Sequence, residues 1–499
     1  MHSRVSLARL LAVLCALALG VSMLAMSDGS GHASSPREQS RAAKADVRQV
    51  NTVVVIVDDM RAQELKFLPR TRHWLARDGV RFDAAYAPTP LCCPARATLL
   101  TGQYAHNTGV FDNDEGGSRP GGLHAFDDDR TLATVLQAKG VKTGYVGKYL
   151  HGYHHRWVPP GWNDWRGAID GAYQYRDADG HRATARGSAE RYAGETTYNI
   201  DGRVRTIKGY ETTVQTRLAT RFIQRRADSP FYLQLNYLAP HGTVGGRDGS
   251  GPPVPHQSHR HDFDGLRAPR TDAYNERDVS DKVRAARRPS LTRRKKAVID
   301  HTAEARAETL QSVDDGMRAI RRVLHREGIV QRTNVVFVSD NGFTLGEHRI
   351  HHTKVWGYEP SAMVPLLMAG PGVPRSGVVD STPVGLHDLA PTITTWYGLK
   401  PMRRADGVPL FAGRMPRRDI LLQGTVESDT DTSYLGLRTR SGYKYLEYRS
   451  GGVEIYNLDR DPQELENLAK KNGHQALRAK LAKKLKKLRG CEESRCVSR

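Results

Sequence analysis

The stretch Thr52–Met60, TVVVIVDDM, is an unbroken β-branched run that ends in two aspartates. Continuous apolar runs of this length predict a strand buried on both faces, as in a parallel sheet. Further along, Phe231–His241 (FYLQLNYLAPH), Asn334–Gly342 (NVVFVSDNG) and VPLLMAGPG repeat the pattern, each closing on proline, glycine or polar residues. Between them the period changes. Leu310, Val313, Met317, Ile320 and Leu324 fall on one helical stripe. Leu132, Val135 and Leu136 form another, with Asp129 as the expected cap and Gly140 as the stop, followed by a strand to about Val146. Strands alternating with helices predict an α/β fold with a large, mostly parallel central sheet flanked by helices.

Two stretches interrupt this alternation, about 151–209 and about 242–298, both rich in Gly, Arg, Asp and aromatics. They read as long insertions near a site. After about residue 405 the texture changes. Gly442–Pro462 alternates Tyr, Leu, Val and Ile around a Ser-Gly-Gly turn, predicting a β-hairpin, and a basic helix is expected over Gln475–Leu488. This predicts a smaller C-terminal α+β domain with an antiparallel sheet. At the other end, Arg4 and Arg9 precede an apolar run from Leu10 to Met26 and then small residues. That is the pattern of an export signal. The expected organisation is a signal peptide over 1–33, a polar linker over 34–48, an α/β domain over 49–405 and a C-terminal subdomain over 406–499. An uncleaved anchor is the alternative, and membrane contact is expected only in that case.

Composition adds a partner class. The 499-residue chain carries 75 Lys+Arg against 54 Asp+Glu, a net charge of +21, concentrated near Arg284–Lys296 and Lys470–Arg489. Such a balance favours anionic partners: nucleic acid, acidic lipid, or a sulfated or phosphorylated substrate. A solvated basic surface is the plain reading of both runs. Export implies an oxidising compartment. Of the cysteines in the mature chain, Cys491 and Cys496 can close a short-loop disulfide. Cys92 and Cys93 are adjacent, and a bridge between them would be strained.

Candidate chemistry lies at the strand ends. Asp58 and Asp59, Lys148, His241, and Asp340 with Asn341 each follow a different predicted strand. In open parallel sheets ligands bind outside the carboxyl ends of the strands. Three carboxylates and an amide there would repel one another without a cation, and all-oxygen ligation favours Ca²⁺, with Mg²⁺ as the alternative. Cys92 opens a helix with Pro94 in its first turn, and Arg96 lies one turn on, so both face an anion at the helix start.

The string CCPARATLLTG, together with VDDMR, GKY, APH, SDNGFTLGEH and KVWGYE in that order, resembles the signature blocks of the formylglycine-dependent (type I) sulfatases. The likeness spans about residues 50–470. GKYLHGYHHRWVPPGW resembles the branch that contains N-acetylglucosamine-6-sulfatases, and VEIYNLDRDPQELENL resembles the family's C-terminal motif. The resemblance implies an alkaline-phosphatase-like sandwich and oxidation of Cys92 to 3-oxoalanine (formylglycine) by a formylglycine-generating enzyme. It implies a metal bound by Asp58, Asp59, Cys92, Asp340 and Asn341, with Arg96, Lys148, His241 and Lys354 binding sulfate or assisting catalysis. Many members carry a histidine two positions after the residue matching Lys148. Here that position is Leu150, and His151, one further on, either takes the role or lines the pocket. His106 and His348 fall in matched blocks as structural or substrate-contact residues. His154, His155, His351 and His352 read as an exposed cluster. The implied partner is a sulfated small molecule or glycan, not nucleic acid, and the implied location is extracellular. Aryl sulfate, phosphate or phosphonate ester hydrolysis remains open, as does a non-catalytic basic module that binds polyanions.

Overall fold

The valine run becomes the strand Asn51–Val57, every residue of it buried. The computed structural model describes residues 49–113, 120–153, 156–169, 194–244, 250–374, 377–411, 413, 418–424 and 432–497. The signal peptide, the linker, His154 and His155 lie outside the described residues. The strand sits inside a ten-stranded sheet. Thr333–Ser339 pairs parallel to it on one side and Phe231–Asn236 on the other. Lys142–Lys148 and Asp164–Ala168 continue the parallel block beyond Phe231–Asn236. Both faces of this block are covered: Val54 and Ile56 join one apolar cluster, Val53, Val55 and Val57 the other. Burial on both faces is why the strand shows no alternation.

Registers align the strand tips. Val57 pairs with Ser339 and Ile56 with Asn236, while Asn236 also pairs with Gly147. Asp58, Asp340 and Lys148 therefore leave the sheet at one level. Gly147 has φ +104°, and a Cβ there would meet the Asn236 carbonyl oxygen at 2.0 Å. Only glycine lets these two strands approach beside the lysine.

The stretch 151–209 is not a bare insertion. It supplies Asp164–Ala168 to the parallel block and a hairpin, Glu195–Ile200 with Arg203–Lys208, that extends the sheet antiparallel to its edge. The hairpin turns on Asp201 (φ 49°) and Gly202 (φ 85°), the two-residue turn whose twist suits paired strands. Among its described residues the stretch 242–298 holds a short antiparallel pair, Thr243–Val244 with Ser250–Gly251, then irregular backbone and turns, and its end belongs to a 34-residue helix, Arg293–Arg326. The helix expected to be capped by Asp129 is Leu132–Gln137, and Thr131 is its cap, accepting from the Thr134 N–H. Asp128–Arg130 instead forms a separate 3-10 turn.

The C-terminal strands Ile420–Gly424, Tyr434–Arg438, Tyr443–Tyr448 and Val453–Asn457 form an antiparallel sheet in chain order. Leu481, Leu485 and Leu488 of the helix Gln475–Leu488 pack on one face with Cys491 and Cys496, which are disulfide-bonded. Trp356 and Tyr358 meet the other face. Among the described residues no helix is long and apolar enough to cross a membrane.

Candidate active site

The helix Cys92–Thr101 is buried throughout and ends on Gly102 in the left-handed conformation. Burial on all sides fits its small side chains and leaves Cys92 facing the strand tips. Cys92 Sγ lies 3.5 Å from Asp58 Oδ1 and 2.9 Å from Lys354 Nζ. Lys354 Nζ also pairs with Asp59, and Lys148 Nζ with Asp58. Arg96 Nε and Nη2 both reach Asp340 Oδ2 at 2.9 Å, and Nη2 lies 3.4 Å from Asp58. His241 Nε2 is 3.7 Å from Asp59 Oδ2. Asp58, Asp59, Cys92, Arg96, Lys148, His241, Asp340 and Lys354 thus converge. The His151 backbone N–H donates to Cys93 Sγ at 3.2 Å.

The expected repulsion among the acids is already answered by the protein. Asp58, Asp59 and Asp340 are matched by Arg96, Lys148 and Lys354. Burial pushes the Asp58 carboxyl up, but Lys148, His241, Arg96 and Lys354 hold it well below the usual range. Asp59 is lowered too, against burial, by Lys354 and His241. Asp340 is pushed up to about 6 by burial and then by the Asp58 charge. Burial, reinforced by Asp58, raises the Cys92 thiol to about 11. At neutral pH an unmodified Cys92 is therefore a thiol, a poor nucleophile.

One ligand atom from each of Asp58, Asp59, Cys92 and His241 lies within 4.8 Å of the others. Asn341 adds a hard donor. Its Nδ2 donates to Asp59 Oδ1 at 2.7 Å and to the Gly342 carbonyl, while its buried Oδ1 has no hydrogen-bond partner. An orphaned buried acceptor beside carboxylates fits a hard cation. His241 Nδ1 donates to the Gly242 carbonyl at 2.7 Å, because a carbonyl can only accept. Nε2 is thereby directed at the acids, and burial lowers the ring's basicity.

Two residues escaped the sequence reading. Arg306 is 1% exposed. It pairs with Glu64 through Nε and Nη2, and donates to the carbonyls of Asp59 and Pro240 at 2.6 and 3.3 Å. It therefore ties down Asp59, which holds φ +66°, and the residue before His241. A bent non-glycine backbone persists only where its surroundings hold it. Arg306 lies four before Leu310 on the apolar stripe, and a cation there was the available signal. Replacing it by lysine should lower kcat about 10–100-fold, because an ammonium cannot form the planar double contact. Replacement by methionine should also cost about 3–5 kcal/mol by stranding Glu64. Steady-state rates and urea melts check both, and a lysine variant with full kcat would contradict the positioning role. Glu211 is the second. Burial pushes its carboxyl up to about 8, with Lys148 opposing, and Gln215 donates to it at 2.8 Å.

The other histidines separate. His106 bonds Gln423 and the Cys491 carbonyl, and buried His348 bonds Glu276 at 2.6 Å. His351 and His352 are half-buried rather than exposed, and His352 meets Thr302 at 2.9 Å.

A parallel-sheet edge that joins acids, fixed cations and a helix start around one buried cysteine defines an α/β protein built to hold an anionic group. The family profile Sulfatase matches residues 50–399, and the chain belongs to that family. The profile N-sulphoglucosamine sulphohydrolase, C-terminal, matches residues 346–491. The extracellular sulfatase SULF-1 homolog of Drosophila melanogaster is 30% identical over 74% of this chain and 32% of its own length. N-acetylglucosamine-6-sulfatase of Capra hircus is 28% identical over 92% of this chain and 86% of its own. The chain spans only 49% and 32% of the nematode and fly extracellular sulfatases it matches. A solved structure in complex with its substrate D-glucosamine-2-N,6-O-disulfate matches with TM-score 0.67 at 20% identity, covering 88% of this chain and 97% of that one. The fold is accordingly the expected alkaline-phosphatase-like sandwich, with its C-terminal antiparallel sheet.

Proposed function

We propose that this chain is an exported sulfatase that hydrolyses sulfate monoesters of sugars, with 6-sulfated glucosamine as the favoured unit. The observation that carries the reading is Cys92, buried between Asp58 and Lys354 at the tips of the sheet. Conversion of Cys92 to formylglycine, which membership of the family implies, gives the position its chemistry. As its hydrate that group supplies one hydroxyl to attack sulfur and a second to release it. Asp58, Asp59, Asp340 and Asn341 would hold a dication, Ca²⁺ by their oxygen chemistry, which supplies Lewis-acid charge to the transferring group.

The remaining work falls to the protein's own residues. Arg96, Lys148 and Lys354 neutralise the sulfate oxygens. Asp58 Oδ1, facing the side chain at position 92, accepts its proton. The departing sugar oxygen takes its proton from Lys354, whose ammonium is held by Asp59, or from His241 Nε2 once the ring carries a second proton, since its Nδ1 proton is engaged by Gly242. Residues 49–405 carry this chemistry and 406–499 brace it.

Mass spectrometry of the peptide covering residues 86–96 tests the reading. Purified active protein is expected to carry a species about 18 Da lighter than the thiol form, and to cleave 4-nitrophenyl sulfate faster than 4-nitrophenyl phosphate. Active protein holding only the thiol, or a preference for phosphate, would overturn it.

A further inference from the structure

The helix Arg293–Arg326 feeds the strand Thr333–Ser339 through a short link. It therefore runs antiparallel to that strand, and its amino end points toward the strand's carboxyl end, where Cys92 sits. A helix of 34 residues is about 51 Å long and a strand of seven about 23 Å. The helix must overshoot the sheet on the side of the site. Arg306 marks the level of the site through its bond to the Asp59 carbonyl. The helix start lies about 20 Å further along the axis.

This overhang is cationic. Arg284–Lys296 carries seven Lys and Arg and no acid. Arg287, Arg288, Arg293, Arg294 and Lys295 are exposed, and Lys296 is half-buried. Among the described residues none of these six joins a salt bridge, whereas neighbouring Arg270 pairs with Asp300 and Lys282 with Glu276. The placement works against the fold, since cations in a first helical turn oppose the helix dipole. Nor is it a cap, because Thr292 already accepts the Lys295 N–H. The ridge is nonetheless fixed in place. The Arg349 guanidinium binds the carbonyls of Glu276, Arg277 and Arg288. The Leu291 N–H donates to Asn275, whose own N–H reaches Gly346. Arg349 and Gly346 belong to the segment that leads to Lys354, so hydrogen bonds tie the ridge to the loop that carries a site residue.

We propose that this ridge docks a sulfated polysaccharide, gripping flanking sulfates about 20 Å along the helix axis from the level of the site. The proposal rests on the sulfatase reading and deepens it: the substrate is a chain rather than a free monosaccharide. Contacts to flanking sulfates that hold ground state and transition state alike lower KM without changing kcat. Nucleic acid and anionic bilayers carry the same charge sign. The ridge's position beyond the end of the sheet at which Cys92 sits favours a polymer that is also the substrate.

The test is the full chain carrying R293Q/R294Q/K295Q/K296Q, assayed on 4-nitrophenyl sulfate and on size-fractionated heparin oligosaccharides. KM for the long oligosaccharides is expected to rise about 10-fold, with kcat and the small-ester rate unchanged. The salt dependence of the long-oligosaccharide reaction should flatten. Tm should hold or rise, because adverse charges leave the helix start. An unchanged KM on long oligosaccharides, or an equal loss on the small ester, overturns the proposal. Equilibrium binding of heparin without turnover separates the two readings. Ridge-dependent heparin binding by a chain that cleaves no sulfate ester would sink the sulfatase assignment and leave the ridge standing as a polysaccharide site. Equally tight ridge-dependent binding of duplex DNA or phosphatidylserine vesicles at the same ionic strength would overturn the polysaccharide assignment.

Discussion

Cys92→Ala is expected to reduce sulfate-ester turnover by about 10⁴-fold or more, because it removes the attacking group and leaves only binding and electrostatics. Cys93→Ala is the matched control. Cys93 is equally buried, and its sulfur accepts from the His151 N–H and lies 4.0 Å from the Asn113 carbonyl. It has no contact with the acids, and burial holds its thiol at about 12. That variant should lose about 1–2 kcal/mol of stability to the small cavity and keep its kcat. Cys92→Ser is more informative than either. A serine hydroxyl can attack sulfur, but it has no second hydroxyl to expel the product. The variant should accumulate one protein-bound sulfate per chain, about 80 Da by intact mass, and then stop. Multiple turnovers by Cys92→Ser, or wild-type rates from Cys92→Ala, would remove position 92 from the chemistry.

The site was legible where sequence and fold share a simple rule. Unbroken aliphatic runs mark strands buried on both faces, and whatever follows them falls on the ligand-binding edge. Asp58, Asp59, Lys148, Asp340 and Asn341 follow from this rule alone. The rule fails for residues that reach the site from the side. Arg306 arrives from a helix whose charged positions outnumber its apolar ones, so one buried cation on the stripe was lost among exposed ones. Glu211 opens a helix, where an acid is ordinary. The edge hairpin was missed for a different reason. Arg203–Lys208 is almost entirely exposed, so it lacks an alternating apolar face, and its one strong signal, Asp201-Gly202, was passed over. The electrostatic expectation failed because sequence separates acids from the cations that meet them. Lys354 lies 295 positions from Asp59, and only the folded register brings them together.

That charge balance yields the second large effect. Three carboxylates against three fixed cations leave the site neutral. A bound dication would make it net positive, which is what attracts a sulfate ester. Asp58→Asn keeps the shape and removes one negative charge. The fixed cations are then in excess before any ion arrives, so a dication is repelled and Lys148, 2% exposed, loses its anionic partner. Turnover should fall on the order of 10³-fold. The wild-type chain should gain thermal stability from Ca²⁺, by about 2.7 kcal/mol at a hundred times Kd, whereas Asp58→Asn should gain almost none. Asn341→Ala removes a neutral donor and leaves the charge count intact, so it should weaken Ca²⁺ only about 10-fold and be rescued by excess ion. Chelation of the wild-type protein should abolish activity, and added Ca²⁺ should restore it. If Asp58→Asn, folded by circular dichroism, kept both the Ca²⁺-dependent rise in Tm and wild-type turnover, the acids at the strand tips would not be holding a catalytic cation.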